Sequence, residues 1–248
     1  MVKDMSEILV LVEGEKLETK LMRKLFKIYG IGCKHNIVSY KTNIYVLYSS
    51  LINELGASSD DWDIITHLKS RESNPAKKEI LSRRYAETIL IFDFEPHDTL
   101  FDENKIRDMV KIFSDSTQLG KLYINYPMVE SFYHMKSIPD PDYNTYTTSL
   151  TELNAKPKTN GYKARVDREN KAVGRASFTS DKNNMGIVIR QNINKARSII
   201  NTDNLTNMPS SMDILESQLT KMKDEKLIAV LCTFIFYIVD FNPKLLSV

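Results

Sequence analysis

Residues 7–15 read EILVLVEGE, a continuous apolar run that ends in a charged turn, Glu13-Gly14-Glu15. A run of this kind, closed by a turn with a glycine, is typical of a strand buried on both faces of a parallel sheet. Apolar residues then recur at three- and four-residue spacing up to Gly30, which predicts a helix that ends there. Because a strand followed directly by a helix is the first half of a βαβ unit, this stretch predicts an α/β fold.

The same alternation continues through the first 138 residues. The predicted elements are, in order, a strand over 36–40, a helix over 44–55, a strand over 88–92, a helix over 102–115, a strand over 121–125 and a helix opened by Pro127. Residues 57–84 are polar and are interpreted as a loop or insertion, with a helix around 75–84. Strands that alternate with helices of this length indicate a mostly parallel, Rossmann-like sheet flanked by helices.

A second region is predicted from residue 139 onward. Pro139, Asp140, Pro141 and Asp142 form a cluster that breaks regular structure. The sequence therefore predicts a core over residues 1–138 and a basic, mainly helical segment over 139–248 that packs on it. Its last helices are expected at about 211–222 and 224–240.

Composition limits the classes of protein that fit. The two cysteines, Cys33 and Cys232, lie far apart without a CxxC pair, which argues against a zinc site or a disulfide scaffold and fits a reducing cytoplasm. The N-terminus has no apolar signal segment. The apolar run over 227–239 is shorter than the roughly 20 residues that a membrane helix needs, and it predicts a buried core helix. We expect a cytoplasmic protein that does not contact a membrane.

Acidic residues follow both of the strongly apolar predicted strands. Glu13 follows the first, and Asp93 and Glu95 follow the strand over 88–92. Ligands of parallel sheets bind beyond the carboxyl ends of the strands, and residues i and i+2 of a strand point to one face. Two or three carboxylates suit Mg²⁺, which can polarise a phosphoryl oxygen. Glu13 is predicted to be a general base or a further ligand, although solvated acids and helix caps also occur at strand ends.

The two acidic segments resemble the motifs of the Toprim family. Leu11-Val12-Glu13-Gly14-Glu15 resembles the signature in which a strand ends at a glutamate followed by glycine. Ile91-Phe92-Asp93-Phe94-Glu95 resembles the second motif, normally Asp-x-Asp, with Glu95 in place of the second aspartate. The resemblance covers roughly residues 5–135 and implies Glu13 as general acid/base and Asp93 with Glu95 as Mg²⁺ ligands. Together with the strand-end positions, it predicts that Glu13, Asp93 and Glu95 are the catalytic residues and the ligands of Mg²⁺ or Mn²⁺.

Within Toprim proteins, the chain is most similar to small stand-alone bacterial forms of the RloB-like, phage-defence nuclease type. These forms also place a Pro-x-x-Glu motif after the last core strand, which Pro127-Met-Val-Glu130 matches. No GxxxxGK[ST] motif occurs in the chain, so any ATPase that controls the activity would be a separate partner protein. No oligomeric state follows from the sequence.

Further side chains are candidates to support the carboxylates. His97 and Asp98 follow the second acidic segment in a loop, and either could reach a metal ion or a phosphate or simply be exposed. Glu130 and His134 are four residues apart, on one face of the helix that Pro127 is predicted to open. The last candidates follow Glu13 closely along the chain: Glu15 and Glu18.

The segment from residue 156 to residue 197 is strongly basic, with eleven Lys or Arg and three acids. Lys and Arg supply the phosphate contacts that dominate nucleic-acid affinity, and the interleaved Tyr162 and Phe178 could stack on bases. The alternative is an ordinary solvated face. The predicted nucleic-acid-binding residues are Lys156, Lys158, Lys163, Arg165, Arg168, Lys171 and Arg175.

Three functions remain open from the sequence. The first is a metal-dependent endonuclease that cleaves DNA or RNA, with tRNA as one plausible target, in bacterial defence against phage. The second is a non-catalytic Toprim-like module that binds nucleic acid or a partner ATPase, an alternative that Glu95 in place of aspartate keeps open. The third is a phosphotransferase on small nucleotides, which the eleven cations of the basic segment argue against.

Overall fold

The computed structural model describes residues 7–31, 34–56, 62–156, 159–201 and 208–245. The chain forms two compact units. The first unit comprises Met1–Lys20, Gly32–Phe92 and Asp102–Tyr123, and the second comprises Leu21–Ile31, Asp93–Phe101 and Ile124–Val248. The domain boundary expected after residue 138 stays a prediction.

The first unit contains most of a five-stranded sheet with the strand order β2-β1-β3-β5-β4. Its strands are β1 (Glu7–Val12), β2 (Lys34–Ser39), β3 (Glu87–Asp93), β4 (Ser114–Asp115) and β5 (Gly120–Asn125). Strand β1 pairs in parallel with β2 and β3, and β4 pairs antiparallel with β5. The predicted α/β class with a mostly parallel sheet flanked by helices is therefore confirmed.

The apolar runs of β1 and β3 are explained by their central places in the sheet. Five of the six residues of β1 and six of the seven residues of β3 are buried. The register pairs Val12, the last residue of β1, with Ile91, and β3 continues for two more residues to Asp93. Strand β2 is at the sheet edge and has one buried residue, Val38, because a single neighbouring strand covers it.

Four of the five helices described in the N-terminal half were predicted from the sequence. They are α1 (Leu17–Tyr29), α2 (Ile44–Leu55), α3 (Ile64–Arg71), α4 (Pro75–Ile80) and α5 (Glu103–Ile112). Gly30 and Gly56, the predicted helix stops, have φ values of 61° and 86° that favour glycine. Helix α4, with N-cap Asn74, confirms the helix predicted around 75–84, whereas the prediction of a loop was wrong for α3, which has Asp63 as its N-cap. Residues 57–61 of that prediction lie outside the described residues.

The second unit contains a two-stranded antiparallel sheet of β6 (Thr147–Ser149) and β7 (Leu227–Ala229). Its helices are α6 (Leu150–Leu153), α7 (Tyr162–Glu169), α8 (Lys182–Ile199), α9 (Ser211–Glu225) and α10 (Tyr237–Phe241). None of the helices in the described ranges is both long and apolar enough to cross a membrane. Cys232 is a buried free thiol, whereas Cys33 lies outside the described residues.

Two predicted helices were wrong. Pro127 does not open an α-helix, since Met128 is extended and only a five-residue 3-10 helix follows, over Val129–Tyr133. The apolar run over 227–239 is not one helix but β7, a 3-10 helix over Phe234–Phe236 and most of α10. The backbone between these elements is held by other segments, as Leu231 and Tyr126 exchange hydrogen bonds. A continuous apolar run has no period that separates a strand from a buried helix.

Candidate metal centre

The carboxylates of Glu13, Asp93 and Glu95 form one cluster. Each side chain offers an oxygen atom, and these three atoms lie within 4.8 Å of one another. Glu13 follows β1, where its backbone N–H donates to the carbonyl of Ile91 on β3 at 3.1 Å. Asp93 is the last residue of β3 and is 7% exposed. The structure thus brings together the three acids that the sequence singled out.

Glu95 reaches this cluster by a route that the sequence did not predict. Strand β3 ends at Asp93, so the alternation of side chains along a strand does not place Glu95. Its backbone N–H donates to the carbonyl of Pro127 at 3.2 Å, and its φ of 37° is in the left-handed region. A non-glycine residue is uncommon there and is a source of local strain. The turn after the strand, and not the pleat, therefore directs this carboxylate.

Glu18 and Glu15 have separate positions near Glu13 in the sequence. The Gly14 N–H donates to the Glu18 carboxylate at 3.2 Å, and Glu18 is buried in the first turn of α1. A Cβ atom at Gly14 would lie 2.6 Å from a Glu18 oxygen, so a larger residue there would displace the Glu18 carboxylate. Glu15 forms an ion pair with Lys41 at 2.7 Å, and a hydrogen bond from Lys41 lowers the pKa of Glu15. Glu15 thus engages a lysine, and Glu18 shapes the turn after Glu13.

Two buried oxygen atoms next to this cluster have no hydrogen-bond partner among the described residues: Asn125 Oδ1 and Glu130 Oε2. The amide nitrogen of Asn125 donates to Asp93 Oδ1 at 3.3 Å, which fixes its position against the cluster. An unpaired buried oxygen costs free energy, and oxygen atoms are the ligands that Mg²⁺ and Mn²⁺ prefer. The donor set of this site therefore fits a hard divalent cation.

The electrostatics of Glu95 also fit a cation. Burial raises the pKa of Glu95, and the charges of Asp98 and Glu130 raise it further, whereas His97 and Lys163 lower it. Carboxylates held this close to one another repel when they are ionised. A bound divalent cation would remove this repulsion.

Lys163 lies beside the carboxylates of this site, although the sequence predicted it only as a nucleic-acid contact. Its ammonium group lies 3.2 Å from Glu130 Oε1. Burial alone would lower the pKa of Lys163, but the carboxylates of Glu130, Asp93 and Glu95 raise it above that of a free lysine. This lysine is 68 residues after Glu95 in the sequence, so no local pattern could have indicated the contact.

The loop after Glu95 holds the two other predicted supporting residues. Asp98 accepts a hydrogen bond from the Leu100 N–H at 2.7 Å, and its own N–H donates to the Glu95 carbonyl, so it stabilises the turn. His97 lies close enough to lower the pKa of Glu95, and its Nδ1 is buried without a partner in the described part of the chain. His97 is thus placed beside the carboxylates, whereas Asp98 has a structural role in the loop.

His134 belongs to a different cluster. Its ring is buried, with Nδ1 3.1 Å from the Tyr162 hydroxyl and Nε2 3.2 Å from Glu169. Burial lowers the pKa of His134 to about 4, so the ring is neutral at pH 7. The predicted pairing of Glu130 and His134 on one helix face was wrong, because the 3-10 helix ends at Tyr133.

The basic segment uses many of its charges internally. Lys163, Arg165 and Arg175 form ion pairs with Glu130, Glu152 and Asp167, respectively. Lys195 is completely buried. Exposed side chains among the predicted nucleic-acid-binding residues are those of Lys156, Lys163, Arg168 and Lys171, and Lys158 lies outside the described residues.

The predicted stacking of Tyr162 and Phe178 on bases was wrong. Their exposed fractions are 2% and 0%, so neither ring can reach a base. Tyr162 contacts His134, and Phe178 packs against Phe132 and Tyr133. Helical packing turns these rings inward, which their spacing among cations did not indicate.

A comparison of the chain with family models, curated proteins and solved structures found no match. The interpretation of the site therefore depends on its geometry and on the resemblance of its motifs.

Proposed function

We propose that this protein is a metal-dependent nuclease that hydrolyses phosphodiester bonds of DNA or RNA. The observation that carries the proposal is the cluster of Glu13, Asp93 and Glu95, with one oxygen of each within 4.8 Å of the others. The resemblance of both acidic segments to Toprim motifs supports the same function.

In this proposal, Glu13, Asp93 and Glu95 hold Mg²⁺ or Mn²⁺, with Asn125 Oδ1 and Glu130 Oε2 as further oxygen donors. The bound ion would supply Lewis-acid stabilisation of the charge that develops on the phosphoryl oxygens. Glu13 is the candidate to accept a proton from the attacking water, because it lies in the cluster and follows β1, whereas Asp93 ends β3.

Lys163 is proposed to stabilise negative charge beside the carboxylates. Its raised pKa keeps the ammonium group protonated at neutral pH, and half of its side chain is exposed to solvent. Its ion pair with Glu130 holds the cation near the site without burying it completely. Such a preorganised cation is suited to a phosphate group of the substrate.

A biological role in bacterial defence against phage is part of the proposal and depends on the similarity to stand-alone Toprim nucleases. A tRNA is one candidate substrate. A partner ATPase that controls the activity is part of the same proposal.

The test is cleavage of plasmid DNA, single-stranded DNA and total tRNA in the presence of Mg²⁺ or Mn²⁺. We expect Glu13→Gln and Asp93→Asn to lower the cleavage rate by about 100-fold or more, since each removes a charge that acts at the reacting centre. Glu15→Gln is the matched control, because this nearby glutamate is paired with Lys41, and it should retain activity.

Cleavage that survives both substitutions would refute the assignment of the site. Nucleic-acid binding without cleavage under either metal would favour the alternative function, a non-catalytic module. That alternative is supported by the left-handed backbone of Glu95 and by its longer side chain in place of aspartate.

A further inference from the structure

Helix α1 has a row of cations on its outer face. Lys16 directly precedes the helix, and Lys20, Arg23 and Lys27 follow at spacings of four, three and four residues. All four side chains are exposed. Residues at these spacings lie above one another on one side of a helix. We call Lys16, Lys20, Arg23 and Lys27 the α1 stripe.

The rest of α1 explains why the α1 stripe faces outward. The opposite side of the helix is buried and consists of Leu21, Met22, Leu25, Phe26 and Tyr29. The single acid between residues 16 and 29 is Glu18, whose carboxylate accepts the Gly14 N–H. The α1 stripe therefore has no acidic residue of its own helix on its face.

We propose that the α1 stripe binds the sugar-phosphate backbone of nucleic acid. Residues 16 to 27 extend over about 16 Å of helix, at 1.5 Å per residue. A duplex of that length carries about five phosphates on each strand, so each cation of the α1 stripe can have a phosphate partner. Because its charge and length match a row of phosphates, the α1 stripe favours a nucleic-acid backbone as the ligand.

An anionic membrane surface is the competing ligand, and the stripe fits it less well. Helices that bind membrane interfaces place large apolar side chains beside their cations. The large hydrophobic side chain that is exposed in the described part of the chain is that of Leu100, which is not on α1. All the large apolar residues of α1 other than Leu17 and Ile28 are buried, and these two are half-buried.

The basic segment offers fewer cations to nucleic acid than its composition indicates. Three of the seven predicted nucleic-acid-binding residues of that segment form ion pairs with acids of the same chain. By contrast, Lys16 lies three residues after Glu13, so the α1 stripe begins next to a residue of the proposed metal centre in the sequence. This inference rests on the proposed nuclease function, whose substrate would contact the α1 stripe.

The test measures binding of a labelled 30-base-pair DNA and the corresponding RNA duplex by fluorescence anisotropy at several salt concentrations. EDTA is present throughout, so the result does not depend on any cleavage activity. The variant is Lys20→Gln, Arg23→Gln and Lys27→Gln together, and Lys16 is left intact because of its proximity to Glu13. The matched control makes the same change in charge on other helices, at Lys78, Lys111 and Lys223, all of which are exposed.

We expect the α1 variant to bind at least about tenfold more weakly at 0.1 M salt, with a slope of log K against log salt smaller by about 2 to 3. The control should match the wild type in both quantities. A parallel variant with Lys156, Arg168 and Lys171 changed to Gln tests the basic segment.

Three results would overturn the proposal. One is a wild type that does not bind either duplex. Another is an α1 variant with unchanged affinity and slope. The third is a wild type that binds phosphatidylserine vesicles through these residues but not nucleic acid. Circular dichroism of the α1 variant checks that the helix is retained, as expected for exposed positions.

Discussion

Two buried polar clusters of the second unit differ in how completely their atoms are paired. The first surrounds Asp93 and contains Asn125 and Glu130, each with a buried oxygen that has no partner among the described residues. The second surrounds Asp140, which accepts hydrogen bonds from the backbone N–H groups of Lys136 and Asp142 and from the Tyr146 hydroxyl. We refer to these as the open cluster and the paired cluster.

The paired cluster continues to two other buried ionisable groups. His134 contacts Tyr162 and Glu169, and the Lys195 amino group donates to the backbone carbonyls of Tyr143 and Tyr146, both at 2.7 Å. Burial lowers the pKa of Lys195 to about 6. Each of these groups has protein partners, whereas the open cluster combines like charges with unpaired oxygens.

The degree of hydrogen-bond pairing in the two clusters indicates different roles, in stability for the paired cluster and in ligand binding for the open cluster. A buried polar network that is fully satisfied contributes to the specificity and stability of the fold, whereas unsatisfied groups mark a place where a ligand can bind. Ionisable residues with shifted pKa values occur in both clusters, so a shifted pKa by itself would not have distinguished them. We therefore expect substitutions in the paired cluster to lower the free energy of unfolding, and substitutions in the open cluster to abolish stabilisation by metal.

The largest effect is expected in the paired cluster. Asp140→Ala should lower the free energy of unfolding by about 4 kcal/mol, because it removes a buried carboxylate and leaves the Lys136 N–H, the Asp142 N–H and the buried Tyr146 hydroxyl without their acceptor. Urea unfolding in EDTA measures this change. Asp93→Asn is the comparison in the open cluster and should cost less than about 1 kcal/mol, since it removes charge repulsion and keeps an oxygen for Asn125. A larger loss of unfolding free energy in Asp93→Asn than in Asp140→Ala would contradict the distinction between the open and the paired cluster.

A pH-dependent effect of intermediate size is expected from His134. Its pKa of about 4 in the folded protein is below the value of about 6.5 in an unfolded chain. Between these pH values the unfolded state binds more protons, so the free energy of unfolding falls as the pH is lowered from 6.5 to 4. The contribution is at most about 3 kcal/mol.

His134→Gln should remove this component, so wild type and variant are compared by unfolding at pH values from 4 to 8. Parallel curves for the two proteins across this range would contradict the prediction. Above pH 6.5 the His134 component is constant, so any difference there reports lost contacts and not titration.

The smallest effect is expected in the open cluster and requires metal. Addition of Mg²⁺ or Mn²⁺ at 100 times its dissociation constant should raise the free energy of unfolding by about 2.7 kcal/mol, because the ion binds only the folded protein. Asp93→Asn should abolish this stabilisation, whereas His134→Gln should retain it. Thermal melting with and without the metal measures both. Equal stabilisation of Asp93→Asn and wild type would place the cation elsewhere.

Elements with local signals could be predicted from the amino-acid sequence alone. Strands β1 and β3 are continuous apolar runs because both faces of a central parallel strand are buried. Helix α1 follows from its three- and four-residue spacing and from Gly30, which has a positive φ. Glu13 and Asp93 were predictable because each directly follows or ends such a run. These features depend on neighbours in the chain, so a pattern can reveal them.

Side-chain positions and contacts that involve residues distant in the sequence became known only from the tertiary structure. The position of Glu95 depends on Pro127, which is 32 residues away, and the contact of Lys163 with Glu130 joins α7 to a 3-10 helix. The inward rotation of Tyr162 and the division of the run over 227–239 also depend on long-range partners. Composition records how many charges and rings a segment has, but packing decides which of them solvent can reach.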